Sequence, residues 1–113
     1  MKKEIQAELS HIFKLLSSEK RLAILMLLQE KPYSVTELIQ VLQMEQSAVS
    51  HQLKKLREEQ VVAVEKIGRT VYYRLTDSHI IDLLASAEKH VEHVVNNETH
   101  EEWLHKKSAS FKK

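Results

Sequence analysis

Four side chains near the C-terminal end of the sequence have the types and spacing of a shared metal site. Asp77 and His79 open a strongly periodic helical segment, and His90 and His93 stand three residues apart on one helical face. His79 and His90 point the same way but lie roughly 16 Å apart along a helix axis. One ion with ligand bonds of about 2.0–2.2 Å cannot reach both. Two antiparallel copies would join the first pair of one chain to the second pair of the other, which predicts two identical sites of three nitrogens and one oxygen.

Each of these residues also has an ordinary structural interpretation. Asp77 can serve as the N-cap or first-turn carboxylate of the helix, and a lone histidine on an amphipathic helix is most often solvated. Residues 77 and 79 are about 200° apart on an ideal helix, so they converge only if Asp77 precedes the regular turns. If the four donors do bind metal, tetrahedral Zn(II) is the first expectation.

The composition bounds the class of protein. The chain has 113 residues, 42% hydrophobic content and a net charge of +1, which fits one domain of modest core. With no cysteine, any metal site must use nitrogen and oxygen ligands. The longest apolar run, Leu22 to Leu28, is far too short for a membrane span, and the charged start at residues 1–4 is unlike a signal peptide. A cytoplasmic protein without membrane association is expected.

The order of the predicted elements is that of a winged helix-turn-helix. With one glycine and one proline, the chain favours long helices. The first predicted helix has apolar residues at helical spacing, Ile5, Leu9, Ile12 and Leu16, and the second runs from a cap at Ser17 or Ser18 to Glu30. The third begins with the capping box Ser34–Glu37. The fourth runs from Ser47 to about Glu59, after a turn at 44–46.

The period then changes from helical to extended. Residues 61–67 and 70–75 are β-branched and aromatic runs that flank Gly68-Arg69, which predicts a hairpin with a cation at its tip. The last helix carries an interface-like apolar stripe at Ile80, Leu84, Ala87, Val91 and Val94. The fold class is therefore mainly α with a β-hairpin, a homodimer whose residues 1–97 form the DNA-binding and dimerisation domain and whose residues 98–113 form a polar tail.

A polar helix face and the hairpin tip are the expected contacts to double-stranded DNA. Two helices joined by a tight turn let the second enter a major groove, while a basic wing reaches the flanking backbone. Residues 46–74 carry six Lys or Arg and three Glu, a local positive excess. The ordinary alternative is a solvated polar face. The predicted DNA contacts are Gln46, Ser47, Ser50, His51, Lys54, Lys66 and Arg69.

Over nearly its whole length the sequence resembles the ArsR/SmtB family of metal-responsive winged-helix repressors. The resemblance rests on Leu15–Leu25, on Gln46–Leu56, on the wing through Gly68-Arg69 and on the ligands of the last helix. In the zinc- or cobalt-sensing branch, the last helices pair across the dimer and supply Asp and His, then His and His. All four positions match. Branches that sense metalloids use cysteines, which this chain lacks.

This resemblance implies a repressor that releases its operator when Zn(II) or Co(II) fills two inter-chain sites, derepressing genes of metal efflux or homeostasis. It also implies that a ligand histidine hydrogen-bonds a backbone carbonyl near Gln60. One alternative is a Ni(II) or Co(II) sensor that recruits His100 and His105 from the tail, and another is a metal-independent regulator. A hydrolytic metalloenzyme is disfavoured, because four protein ligands leave no open water position. No enzymatic activity and no small-molecule substrate are expected.

Overall fold

The structure, a computed structural model, describes residues 2–96. Within that range five helices and three strands follow one another, in the order expected for a winged helix-turn-helix. They are α1 (Lys3–Leu16), α2 (Glu19–Glu30), β1 (Tyr33–Ser34), α3 (Val35–Leu42), α4 (Gln46–Glu58), β2 (Val62–Ile67), β3 (Thr70–Leu75) and α5 (Ser78–Val95). The predicted fold class is confirmed. Residue 97 and the predicted tail, 98–113, lie outside the described residues.

Side-chain caps set the starts of α2 and α3. The Ser18 hydroxyl accepts from the Arg21 backbone N–H and begins α2. Ser34 and Glu37 form the predicted capping box, with bonds of 2.9 and 3.2 Å. Donation from the Ser34 backbone N–H, followed by that residue's side chain and the charge of Lys31, holds the pKa of the Glu37 carboxyl below its ordinary value although burial opposes the shift.

The turn between α3 and α4 is one residue shorter than the sequence suggests. Gln43 ends α3 in the left-handed region at φ 53°, and α4 begins at Gln46 after the extended residue Glu45. The expected turn at 44–46 therefore includes one residue that is helical. A Gln at the first helical position is compatible with either assignment, because it makes no cap that would fix the boundary.

The wing is an antiparallel hairpin extended by a third, two-residue strand. β2 and β3 pair from Val62↔Leu75 to Ile67↔Thr70, which leaves Gly68 and Arg69 as the predicted two-residue turn. Gly68 lies at φ +63°, where a side chain is disfavoured. β1 adds to the other edge of β3 and gives the order β1-β3-β2. The strand β1 was not predicted, because two residues show no alternation.

One apolar core holds these elements in place. Its most deeply buried members come from α2, α3, α4 and the start of the wing, and they are Ile24, Leu25, Leu38, Val49, Leu53, Leu56, Val61 and Val62. The contributions from α4 are spaced four and three residues apart, so they occupy one helical face. Burial of that face fixes the rotation of α4 and turns the opposite face to the solvent.

Two helices leave apolar side chains uncovered. On α1 these are Ile5, Leu9 and Phe13, and on α5 they are Val91, Val94 and Val95. The predicted stripe of α5 divides at its midpoint, since Leu84 is buried in the core whereas Val91 and Val94 are exposed. Grouped apolar exposure of this kind is typical of an interaction surface.

No helix within residues 2–96 combines the length and the apolar character needed to cross a bilayer.

Candidate functional site

The exposed face of α4 carries the residues that the sequence predicts to contact DNA. Val49, Leu53 and Leu56 point into the core, and this orientation exposes the other face. The predicted contacts on that face, all exposed, are Gln46, Ser47, Ser50, His51 and Lys54. These side chains offer hydroxyl, amide, imidazole and ammonium groups, the usual donors and acceptors for base edges and phosphates.

The wing adds two cations beyond the helix. Lys66 lies in β2 and Arg69 at the hairpin turn, and both are exposed. Because the turn has only two residues, the guanidinium of Arg69 projects from a short rigid hairpin rather than from a long loop. The arrangement allows α4 to enter a major groove while the wing lies against the neighbouring backbone.

Asp77 and His79 converge at the start of α5. Asp77 is the N-cap, with φ −152°, and its Oδ1 accepts from the Ile80 backbone N–H at 3.0 Å. The Nδ1 atom of His79 lies 3.7 Å from that same Oδ1. Two ligand atoms of one tetrahedral Zn(II) with bonds of about 2.1 Å are about 3.4 Å apart, so the pair is already close to chelating geometry.

Both members of this pair are accessible to an ion. The side chain of His79 is 92% exposed and that of Asp77 is 53% exposed. The oxygen that caps the helix, Oδ1, is also the one that lies 3.7 Å from His79. A carboxylate oxygen has two lone pairs, so Oδ1 can accept from the Ile80 N–H and bind a cation at the same time, and Oδ2 offers a further donor. Asp77 can therefore both cap the helix and bind an ion. Its position before the regular turns is the position that lets its side chain approach that of His79. The donor set fits zinc.

His90 and His93 lie three turns further along the same helix. His90 is exposed and His93 is half-buried. Because α5 is continuous over Ser78–Val95, the separation of roughly 16 Å between His79 and His90 applies. Within the described residues no three His, Cys, Asp or Glu side chains gather closely enough to hold an ion. One chain thus presents two separate pairs of candidate ligands, while His100 and His105 lie outside the described residues.

Two long-range contacts involve residues for which sequence analysis assigned no such role. His11 of α1 meets Glu59, just after α4, with Nε2 and Oε2 2.6 Å apart. Thr76, just before Asp77, donates its hydroxyl to the Val61 carbonyl at 3.2 Å. Partners separated by 48 and 15 residues leave no periodic signal, although the position of Thr76 beside a candidate ligand could have drawn attention to it.

Comparison with known proteins supports the fold and identifies the family. The family model described as "Bacterial regulatory protein, arsR family" matches residues 18–64. The HTH-type transcriptional regulator NmtR of Mycobacterium tuberculosis is 41% identical over 88 residues, which cover 78% of this chain and 73% of that protein. A transcriptional repressor SmtB homolog of Synechocystis is 32% identical over 85 residues, covering 75% of this chain and 64% of that protein.

Solved structures agree with this assignment. The solution structure of apo-NmtR is similar with a TM-score of 0.72 and 39% identity, over 82% of this chain and 78% of that one. A homodimeric winged helix-turn-helix DNA-binding domain from Mycobacterium bovis is similar with a TM-score of 0.76 and 22% identity, over 86% of this chain and 90% of that one. At this identity the similarity supports the fold alone. On the fold and on the likeness to NmtR, the chain belongs to the arsR family of bacterial regulatory proteins.

Proposed function

We propose that this transcriptional regulator of the ArsR/SmtB family is a zinc-responsive repressor of the cytoplasm. A homodimer would bind operator DNA through its two α4 helices and wings, and it would release that DNA when Zn(II), or Co(II), binds at two inter-chain sites. The regulated genes would serve metal efflux or homeostasis. The protein would act by binding alone, without catalysis.

The observation that carries the proposal is the division of four donors between the two ends of one helix. Asp77 and His79 are 3.7 Å apart at its start, and His90 and His93 share a face near its end. Asp77 and His79 of one chain, with the partner's His90 and His93, would hold each ion. Antiparallel pairing of α5 would also cover the apolar side chains of Val91 and Val94, so the surface that dimerises and the surface that binds metal would be the same.

The link from metal to DNA follows from the contacts that α5 makes within each chain. An ion would cross-link the two α5 helices, and each α5 packs against α2 and against β3 of the wing in its own chain. Fixing α5 against its partner therefore fixes the distance and angle between the two α4 helices, which must match successive major grooves. Linkage requires that zinc bind the free dimer more tightly than the DNA-bound dimer, and that DNA weaken zinc by the same factor.

Cobalt substitution with an operator titration tests this proposal. Tetrahedral Co(II) bound by three nitrogens and one oxygen should give intense visible absorption that saturates at one ion per chain and that zinc displaces. At fixed salt, the same addition of zinc should weaken operator binding by about 5- to 150-fold, the usual range of such couplings. Weak absorption would favour six-coordinate binding with tail ligands.

A metal-independent regulator is the second candidate, because one observation favours it. The Asp77 carboxylate already has a structural task, capping α5 through Ile80. If capping is its only task, equilibrium dialysis will retain no zinc on the purified dimer, and operator binding will not respond to metal.

A further inference from the structure

A carbonyl oxygen that accepts two hydrogen bonds joins the start of α5 to the segment that follows α4. The Thr76 backbone N–H donates to the Val61 carbonyl oxygen at 3.1 Å, and the Thr76 hydroxyl donates to the same oxygen at 3.2 Å. Thr76 is half-buried and Val61 is 1% exposed. A carbonyl oxygen has two lone pairs, so both bonds can form together.

On one side of this contact, Val61 is rigidly joined to α4. The Val61 backbone N–H donates to the Leu56 carbonyl at 2.9 Å, and that of Gln60 donates to the Arg57 carbonyl at 3.0 Å. Gln60 has φ 62°, a conformation that few residues other than glycine adopt, and it ends the helix in a tight turn. A displacement of the Val61 carbonyl therefore acts directly on the last turn of α4.

On the other side, Thr76 is the residue directly before Asp77. The Asp77 carboxylate is tied to the first turn of α5 and lies 3.7 Å from His79. The bond from the Ile80 N–H restrains rotation of this carboxylate, so a shift of Asp77 on metal binding would be passed in part to its backbone and to the peptide between residues 76 and 77. Thr76 is thus adjacent in sequence to the candidate ligand Asp77, and its side chain is hydrogen-bonded to Val61 in the segment that follows α4.

We propose that Thr76 is a positioning residue that couples the Asp77–His79 pair to α4. This inference rests on the proposed function and assigns the connection within one chain. The backbone bond alone would let the 76–77 peptide pivot about the Val61 oxygen. The hydroxyl adds a second point of attachment, so that reorientation of Asp77 on ligation is transmitted to residues 56–61 rather than absorbed by rotation.

The test compares Thr76→Val, which removes the hydroxyl and keeps the shape, with Thr76→Ser, which keeps the hydroxyl and removes the methyl group. Operator affinity is measured for each full-length dimer with and without zinc at fixed salt, and cobalt absorption gives metal affinity. Thr76→Val should bind operator without zinc, and bind cobalt, within about twofold of wild type. Its zinc effect on the operator should shrink by about fivefold, the value of one net hydrogen bond. Thr76→Ser should resemble wild type.

Amide NMR shifts add a readout that a purely structural role would not change. In wild type, zinc should shift the amides of Leu56, Gln60 and Val61, and in Thr76→Val these shifts should be much smaller while those at His79 persist. An undiminished zinc effect in Thr76→Val overturns the coupling role, and so does loss of metal-free operator binding or of folding in that variant. If wild-type operator binding ignores zinc, the proposed function itself fails, and the coupling role with it.

Discussion

The two functional regions of this protein differ in how much of their geometry one chain supplies. The reading head, formed by α3, α4 and the wing, is closed within the chain: its buried face lies on the core and α3 begins in a capping box. The proposed metal face, on α5, is open, with exposed valines and two pairs of candidate ligands that lie too far apart within one chain to meet. Under the proposed function, a head that is complete within one chain would bind DNA without metal. A metal face that needs a second chain would respond to metal only by changing the relative position of the two heads.

The largest expected effect is on the metal face. His79→Ala should weaken zinc binding at least about 100-fold, since even residues that merely support ligands change affinity by about 10- to 100-fold. Metal-free operator binding should stay within about twofold, because α4 and the wing are untouched. Lys89→Ala, on the same helix but outside the ligand set, is the matched control. A variant that lost operator and zinc binding together would show that the two regions are not separable.

The next effect is on the reading face of α4. The double variant Ser50→Ala, His51→Ala should weaken operator binding by about 10- to 100-fold. Neither side chain makes a bidentate contact, so each should contribute near the lower end of the about 1–3 kcal/mol that a good bidentate base contact gives. Dimerisation and cobalt absorption should not change. The measurement is a titration at fixed salt with operator and with scrambled DNA. Unaltered operator affinity would mean that this face does not dock in the groove.

A smaller effect on DNA affinity should distinguish the role of the wing from that of α4. Arg69→Ala should weaken binding to operator and scrambled DNA alike and reduce the slope of log affinity against log salt by about one, as expected for one lost phosphate contact. Lys3→Ala, a cation of α1 far from the reading face in sequence, should leave the slope unchanged. Loss at a single operator base pair would instead assign Arg69 to base readout.

The smallest effect concerns the capping box that begins the reading head. The folded-state pKa of Glu37 is lowered, so its charge stabilises the fold above the unfolded value of about 4.3, and this contribution is lost as pH falls through the folded-state pKa. Glu37→Gln keeps an acceptor for the Ser34 amide but removes the titration. Urea unfolding at about pH 7 and about pH 3 should show a smaller pH dependence in the variant. Equal pH dependence would contradict the role of the charge.

Much of the fold from α2 to the wing was predictable because the residues that determine it are close together in sequence. The capping box, the Ser18 cap and the Gly68-Arg69 turn each follow from a few adjacent residues, and the structure contains all three. The strand β1 could not be predicted, since its two residues pair with Tyr72 and Tyr73 only in three dimensions. The bond from Thr76 to Val61 likewise depends on how the hairpin closes.

For the metal face, the residue spacing predicts a site that a single chain cannot form. Asp77 is the N-cap of α5, as one of its two interpretations predicted, and it therefore precedes the regular turns, as convergence with His79 requires. The four-ligand site, the choice of zinc and the DNA contacts remain predictions. Their distances involve a partner chain, an ion or a duplex, so the packing within one chain does not determine them.

Heterodimer complementation tests the shared metal site most directly. His79→Ala and His93→Ala homodimers should each bind zinc poorly, because every site lacks one nitrogen. In a purified mixed dimer, one site would combine Asp77 and His79 of the second chain with His90 and His93 of the first, and the other site would lack two ligands. The account predicts that tight binding returns at about one zinc per mixed dimer, since the roughly 16 Å between His79 and His90 prevents a site within one helix. Mixed dimers that bind zinc no better than either parent would contradict the inter-chain site.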